Sequence, residues 1–331
     1  MKTPTLLASA TLLAASTALA GFRSAPCADY KPGEISFAGS FDFAVVAGEA
    51  NEHVFAPKAS AAEYAKEFGL PYEDRRHQLS RLDWDLAAAM IGFSGSVRYD
   101  RFSFNGGVWG GGSGSDDWEM KDYDWMNGDR VNYTDYSRSD TEITTAWMLD
   151  ANVSFDFCRA EDFAAYLFAG MRWQQWEWEC AGRNDYLYAE QNGKWYSDNA
   201  HVCDYRQTLY FAYIGIGGTW KLTETLDLSA YLSWAPAYAG EDHDEHLAAE
   251  KDFKDTFDYD GGNVYAGGVT LGWHVAEHAT LSFSLDWQKA TLHEGDLKLM
   301  DYSYGEYSEV PDGAGIKNEY VALSCGLTYA F

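Results

Sequence analysis

From Val321 to the last residue, every second position is apolar: Val321, Leu323, Cys325, Leu327, Tyr329 and Phe331, with Ala322, Ser324, Gly326, Thr328 and Ala330 between them. Period two puts the two sets on opposite faces of a strand. A large apolar outer face and a small, mildly polar inner face suit a wall strand of a membrane β-barrel. The alternation recurs at Leu281, Phe283, Leu285 and Trp287, and at Leu226, Leu228, Ala230, Leu232 and Trp234. Strands are predicted near 35–48, 78–98, 101–113, 141–157, 163–180, 205–222, 226–242, 252–275, 278–295 and 319–331. In the second of these, Asp83 and Asp85 alternate with Leu82, Trp84 and Leu86, which predicts two carboxylates turned into a polar lumen.

The connections alternate in length. Arg98–Arg101, Cys158–Asp162, Leu222–Thr225 and Ala276–His278 are short turns; about 49–78, 114–140, 181–204, 240–258 and 294–318 are long and acidic. Short periplasmic turns and long extracellular loops are the asymmetry of outer-membrane barrels. The fold class is therefore all-β, a ten-stranded antiparallel transmembrane β-barrel with both termini in the periplasm. So many long alternating strands fit a soluble sandwich or propeller poorly. Ten strands enclose a narrow lumen, and inward residues such as Asp83, Asp85, Tyr231 and Asp286 help to fill it, which disfavours a diffusion porin.

The first residues bear on location. Lys2 precedes an apolar stretch from about Leu6 to Ala20 that ends Ala18-Leu19-Ala20, the plan of a secretory signal peptide cleaved after Ala20. Residues 21–331 then form one barrel domain. The formal charge is −27, and losing Lys2 leaves −28. That charge argues against nucleic acid and for steering of basic peptides and proteins. The chain has 13 Trp and 23 Tyr, enough for aromatic girdles at both membrane interfaces. Five cysteines in an exported chain permit disulfides. Cys180 and Cys203 flank the polar segment 182–201 and are expected to pair, leaving Cys27, Cys158 and Cys325.

Three acidic constellations fall near the outer ends of predicted strands. Asp122 and Asp124 are two apart, so an extended segment puts both on one side. Like charges held together raise at least one pKa, which suits a pair that shares a proton or holds a water. Asp244 and His246 have the same spacing within Asp242-His243-Asp244-Glu245-His246. A carboxylate beside an imidazole orients it and supports a general base. His243 and His246 with nearby carboxylates also have metal-ligand types, without the spacing of known metal motifs; no metal or cofactor is assigned. The third is Asn51-Glu52-His53. Taken singly, each is as readily a solvated loop.

Taken in order, these segments resemble the omptin family, outer-membrane aspartyl-type endoproteases with ten-stranded barrels. The resemblance covers most of the mature chain. It rests on Asp122-Tyr123-Asp124-Trp125-Met126, Tyr133-Thr134-Asp135-Tyr136-Ser137-Arg138, Asp244-Glu245-His246, Leu82-Asp83-Trp84, and Gly313-Ala314-Gly315-Ile316-Lys317-Asn318 ahead of the closing strand. It implies catalytic roles for Asp122, Asp124, Asp244 and His246. Asp244 would orient His246, which would activate a water held against the Asp122/Asp124 pair, with no acyl intermediate. It also implies that Glu52 and Asp242 bind a basic P1 side chain, since carboxylates recognise Arg and Lys through charge and paired hydrogen bonds.

The resemblance further implies a monomer in the bacterial outer membrane with its site facing outwards, and lipopolysaccharide bound on the outer wall as an activator. The positions corresponding to that lipid site are Met171, Trp173, Gln175, Thr208 and Asp260, none of them basic. Arg172 and Arg206 lie nearby, and alternation is expected to turn both inward. Residues 56–77 are an insertion relative to the family, in which Ala59–Phe68 is expected to form a short helix over the cleft. A non-enzymatic barrel or adhesin that binds basic host proteins would use the same acidic loops. It would have no chemical need for all of Asp122, Asp124, Asp244 and His246.

Overall fold

A computed structural model describes residues 35–57, 78–114, 117–125, 133–188, 191–194 and 200–331. The signal peptide, the helix expected at 59–68 and Cys27 lie outside the described residues. The strands are β1 (Ile35–Phe55), β2 (Gln78–Tyr99), β3 (Phe102–Gly112), β4 (Trp118–Asp124), β5 (Asp135–Arg159), β6 (Phe163–Tyr188), β7 (Gln191–Lys194), β8 (His201–Lys221), β9 (Leu226–Ala235), β10 (Tyr238–His246), β11 (Lys251–Gly261), β12 (Val264–Ala276), β13 (Ala279–Asp301) and β14 (Glu306–Ala330). β3 and β4 both lie between β2 and β5, β9 and β10 both border β8, and β11 and β12 both border β13. Each of these pairs is one interrupted wall. The ten walls close where β14 pairs with β1 from Ala38↔Ala330 to Val54↔Ala314.

The walls are longer than their apolar stretches predict. β2 has 22 residues and β5 has 25, about twice what a tilted spanning strand needs. Much of what the sequence presents as loop is wall: β1 runs on to Phe55, β4 lies inside 114–140, and β13 and β14 extend through most of 294–318. Two walls predicted as continuous are broken. Pro236, which has no N–H to give a ladder, follows β9. Gly262 between β11 and β12 has φ +66°, and a Cβ there would lie 2.2 Å from the Tyr238 ring, so only glycine fits.

The outer surface locates the membrane. Phe41, Phe43, Ile91, Phe93, Leu285, Leu323 and Leu327 are exposed on it. Trp147, Trp234 and Trp287 lie toward its extracellular edge, and Trp220, Trp273 and Tyr329 toward the turns. Just above Trp287 the outer face turns charged, with Lys289 Nζ 2.6 Å from Glu319 Oε2.

That boundary reverses the expectation for Asp83 and Asp85. The inward residues are Leu82, Trp84 and Leu86, at 3%, 0% and 1% exposure. Asp83 faces outward, accepting from Asn51 at 2.6 Å and Arg81 at 2.9 Å. This part of β2 stands above the membrane, where water is outside, so the apolar face turns in.

The interior is filled. Trp84, Trp176, Trp178, Tyr205 and Tyr320 pack with Leu86, Met90 and Met148 into an aromatic floor. Tyr205 stacks on Trp84 with centroids 4.5 Å apart. Farther from the rim, Arg172 reaches Asp150 at 2.9 Å and Gln288 at 3.0 Å, and Gln288 donates to Gln174 at 3.0 Å. Tyr231 donates to Asp286 at 2.9 Å, inward as expected. Cys180 and Cys203 are register partners on β6 and β8 and form the expected disulfide; Cys158 and Cys325 are outside it.

Candidate active site

The site stands on the aromatic floor, inside the rim that the walls build above the membrane. On β10, Asp242, Asp244 and His246 are spaced by two and share the inner face. Asp242 is thus one step deeper than Asp244. His243 and Glu245 take the outer face, where His243 Nε2 lies 2.6 Å from Asp252 and 3.6 Å from Glu245. His243 and His246 point to opposite faces of the wall and do not converge on one metal. The outer trio His243, Glu245 and Asp252 has ligand-type atoms within 4.8 Å of one another, but Lys254 Nζ already sits 2.6 Å from Asp252.

Asp244 Oδ2 lies 2.6 Å from His246 Nε2. Asp244 is buried, and the His246 ring lies 5.4 Å from that of Phe253. Burial opposes a charged imidazole, but Asp244, with help from Asp122, overrides it and pushes the pKa up to about 9. The contact favours the imidazolium form of His246, as an ion pair with Asp244.

Across the mouth, β4 pairs with β2 and β5. Asp122 and Asp124 share its inner face, and Ser80 Oγ donates to Asp122 Oδ1 at 3.2 Å. Burial, then repulsion from Asp124, pushes Asp122 up to about 7, and His246 acts against this. Asp124 is raised in the same direction, chiefly by burial. Asp122 and His246 thus lie close enough to bias each other's charge, though they come from opposite walls.

Glu52 and Asp242 form the deeper level. Glu52 is in register with Leu82 on β2, which is in register with Asp122 on β4. Asp242 accepts from Tyr205 Oη at 3.2 Å, and Gln207 donates to that oxygen at 3.1 Å. Glu52 and Asp242 are 1% and 4% exposed. Burial, then repulsion from Asp244 and Asp242, raises Glu52 well above the usual carboxylate range. Burial takes Asp242 to about 7. His53 turns away to the outer face, 3.4 Å from Gln78.

All six candidates named from sequence therefore line one cleft. Four neighbours carried no sequence signal: Ser80, Tyr205, Gln207 and Phe253 are held against the site by strand register. Asp255, on β11 opposite Asp242, is a sixth acid. Its signal was present in the acidic stretch 240–258, unresolved from the solvated carboxylates around it.

A family model, the Omptin family, matches residues 43–331. The chain belongs to the omptin family. It is accordingly an outer-membrane protease, with the mouth of its barrel on the extracellular side. The plasminogen activator of Yersinia pestis is 26% identical over 265 residues, which cover 77% of this chain and 81% of that one. The outer membrane protease OmpT from Escherichia coli has the same fold: TM-score 0.77 at 20% identity, over 93% of this chain and 99% of that one.

On the outer wall this omptin departs from one expectation. Arg172 turns inward as predicted, but Arg206 is exposed, on the outer face with Thr208 and in register with Glu177 and His243. Arg206 and Thr208 are two apart, so alternation puts them on the same side, not opposite sides. Met171 is 69% exposed, whereas Thr208 is covered, its Oγ1 3.5 Å from Gln175.

Proposed function

We propose that this chain is an endopeptidase that cleaves peptides and proteins at Arg or Lys, with a preference for paired basic residues. The observation that carries this reading is the Asp244–His246 pair set together with Asp122 and Asp124 inside the rim, above buried carboxylates that no cation among the described residues neutralises. In the reaction, His246 in its neutral form takes a proton from a water held between it and Asp122/Asp124. The water oxygen attacks the scissile carbonyl carbon, and Asp244 stabilises the imidazolium that forms. His246 then returns the proton to the leaving amine. No side chain becomes acylated, so serine-directed reagents leave the activity intact. Glu52 and Asp242 receive the P1 guanidinium or ammonium, an exchange of water for charge-assisted hydrogen bonds in a dry chamber.

Lipopolysaccharide belongs to this reading as a candidate activator. Among the outer-wall positions considered, Arg206 is the cation available to a lipid phosphate.

The test is a quenched fluorescent peptide with a central Arg-Arg pair, given to refolded protein in detergent with and without lipopolysaccharide, beside His246→Ala. Cleavage between the arginines that disappears in the variant supports the protease. A folded barrel that cleaves under neither lipid condition moves the reading to a non-enzymatic barrel that binds basic proteins.

A further inference from the structure

We infer that Asp255 is a third specificity residue of the chamber that receives the basic side chain, acting with Glu52 and Asp242. This rests on the reading of that chamber given above.

The geometry carries it. Asp255 lies directly opposite Asp242 across the β10–β11 hairpin, where Cβ atoms of cross-strand neighbours approach to about 4.5–5.5 Å. It is 1% exposed, its carboxyl lies against that of Asp242 and beside the backbone of Lys298, and among the described residues no other side-chain donor reaches either oxygen. Among the described residues, Oε2 of Glu52 likewise meets no donor, and the second Asp242 oxygen has only the Asp255 carboxyl beside it. Among the described residues no lysine or arginine pairs with any of the three: Lys254, beside Asp255 in sequence, turns the other way to Asp252.

Burying a carboxyl with few donors is unfavourable unless a cation or hydrogen bonds compensate it. Glu52, Asp242 and Asp255, one level deep and with acceptor oxygens to spare, form an environment suited to a cation. The adjacent ladder explains why Asp255 cannot escape. β11 is held between β10 and β13, and Asp255 is in register with Leu297 on the latter, so its side chain has only the chamber to enter. A planar guanidinium has five N–H donors. Two carboxylates engaged side-on meet four of them, and a third from the β11 side can meet the fifth. Burial, then repulsion from Asp242, raises Asp255 well above the usual carboxylate range, and a cation bound among the three would act in the opposite direction.

The test is a peptide series that varies only P1, as Arg, Lys or Gln, with kcat and KM measured separately for wild type, Asp255→Asn, Asp255→Ser, Asp255→Glu and Asp242→Asn. Asp255→Asn is expected to raise KM for P1 Arg by about tenfold or more, from the loss of a charged hydrogen-bond partner. Its kcat should stay within about threefold, because Asp255 is not beside the reacting atoms. The preference for Arg over Gln should fall in parallel, and Asp255→Glu should recover part of it. Melting temperature should hold or rise, since a buried unpaired acid has been removed; Asp255→Ser repeats the measurement if the Asn variant does not refold.

The inference is overturned if Asp255→Asn and Asp255→Ser keep the Arg preference while Asp242→Asn loses it. If Asp242→Asn also keeps it, the chamber itself was misassigned and both readings fall.

Discussion

His246 Nε2 and Asp244 Oδ2 are 2.6 Å apart, two residues along one strand and on one face. The strand's period makes the pair: a helix would place i and i+2 on different sides. The pair also sets the pH at which His246 is free to accept a proton.

Because His246 is held protonated up to about 9, kcat/KM should climb with pH through neutrality toward that value. Asp244→Asn removes the anion that sustains the imidazolium. The rising limb should then move down toward the ordinary imidazole value, and the plateau should drop by about 100-fold or more. Initial rates on the Arg-Arg peptide from pH 5 to 10 check both. An unmoved limb in the variant would mean that another group titrates.

Stability should run the other way. Asp242 has its folded value raised to about 7, so its contribution is fully present below the ordinary carboxylate value and is lost as pH rises through about 7. The raised His246 contributes below the ordinary imidazole value and loses that as pH rises through about 9. Melting temperature in detergent should therefore fall between pH 4 and 9, and Asp242→Asn should flatten the lower part of the curve.

Tyr205 reaches Asp242 at 3.2 Å while stacked on Trp84. Tyr205→Phe keeps the stack and removes the donor. KM for P1 Arg should rise by roughly tenfold, the scale of one hydrogen bond to a charged group, with little change in kcat. Steady-state kinetics on the same peptide separate the two.

Trp84 is fully buried in the floor beneath the acids. Trp84→Ala should lower unfolding free energy by about 3–5 kcal/mol, the cost typical of an aromatic truncated in a core. It should also admit water under Asp242 and weaken the carboxylate–cation contact. Denaturant titration and KM for P1 Arg measure the two effects.

The alternation along β9, β13 and β14, the short turns and the even count of walls were legible because lipid outside and a packed lumen inside leave a strand only one arrangement of large and small residues. Spacing by two also put Asp122 with Asp124, and Asp244 with His246, since that relation is local. The length of the walls was not legible. Above the membrane both solvent and interior change, the polarity of the strand inverts, and Asp83 and Asp85 turn outward where Leu82 and Trp84 turn in.

What brings β4 to face β10, and sets Glu52 one level below the His246 pair, is the register of closure between walls far apart in sequence. Asp255 shows the same limit at one residue. In sequence it is one acid among many between 240 and 258, and only pairing with Asp242 across the hairpin separates it from those that water solvates. Local periodicity determines which face a side chain takes; which charges that face meets is decided by long-range strand pairing, and the energy of a buried charge depends on those neighbours.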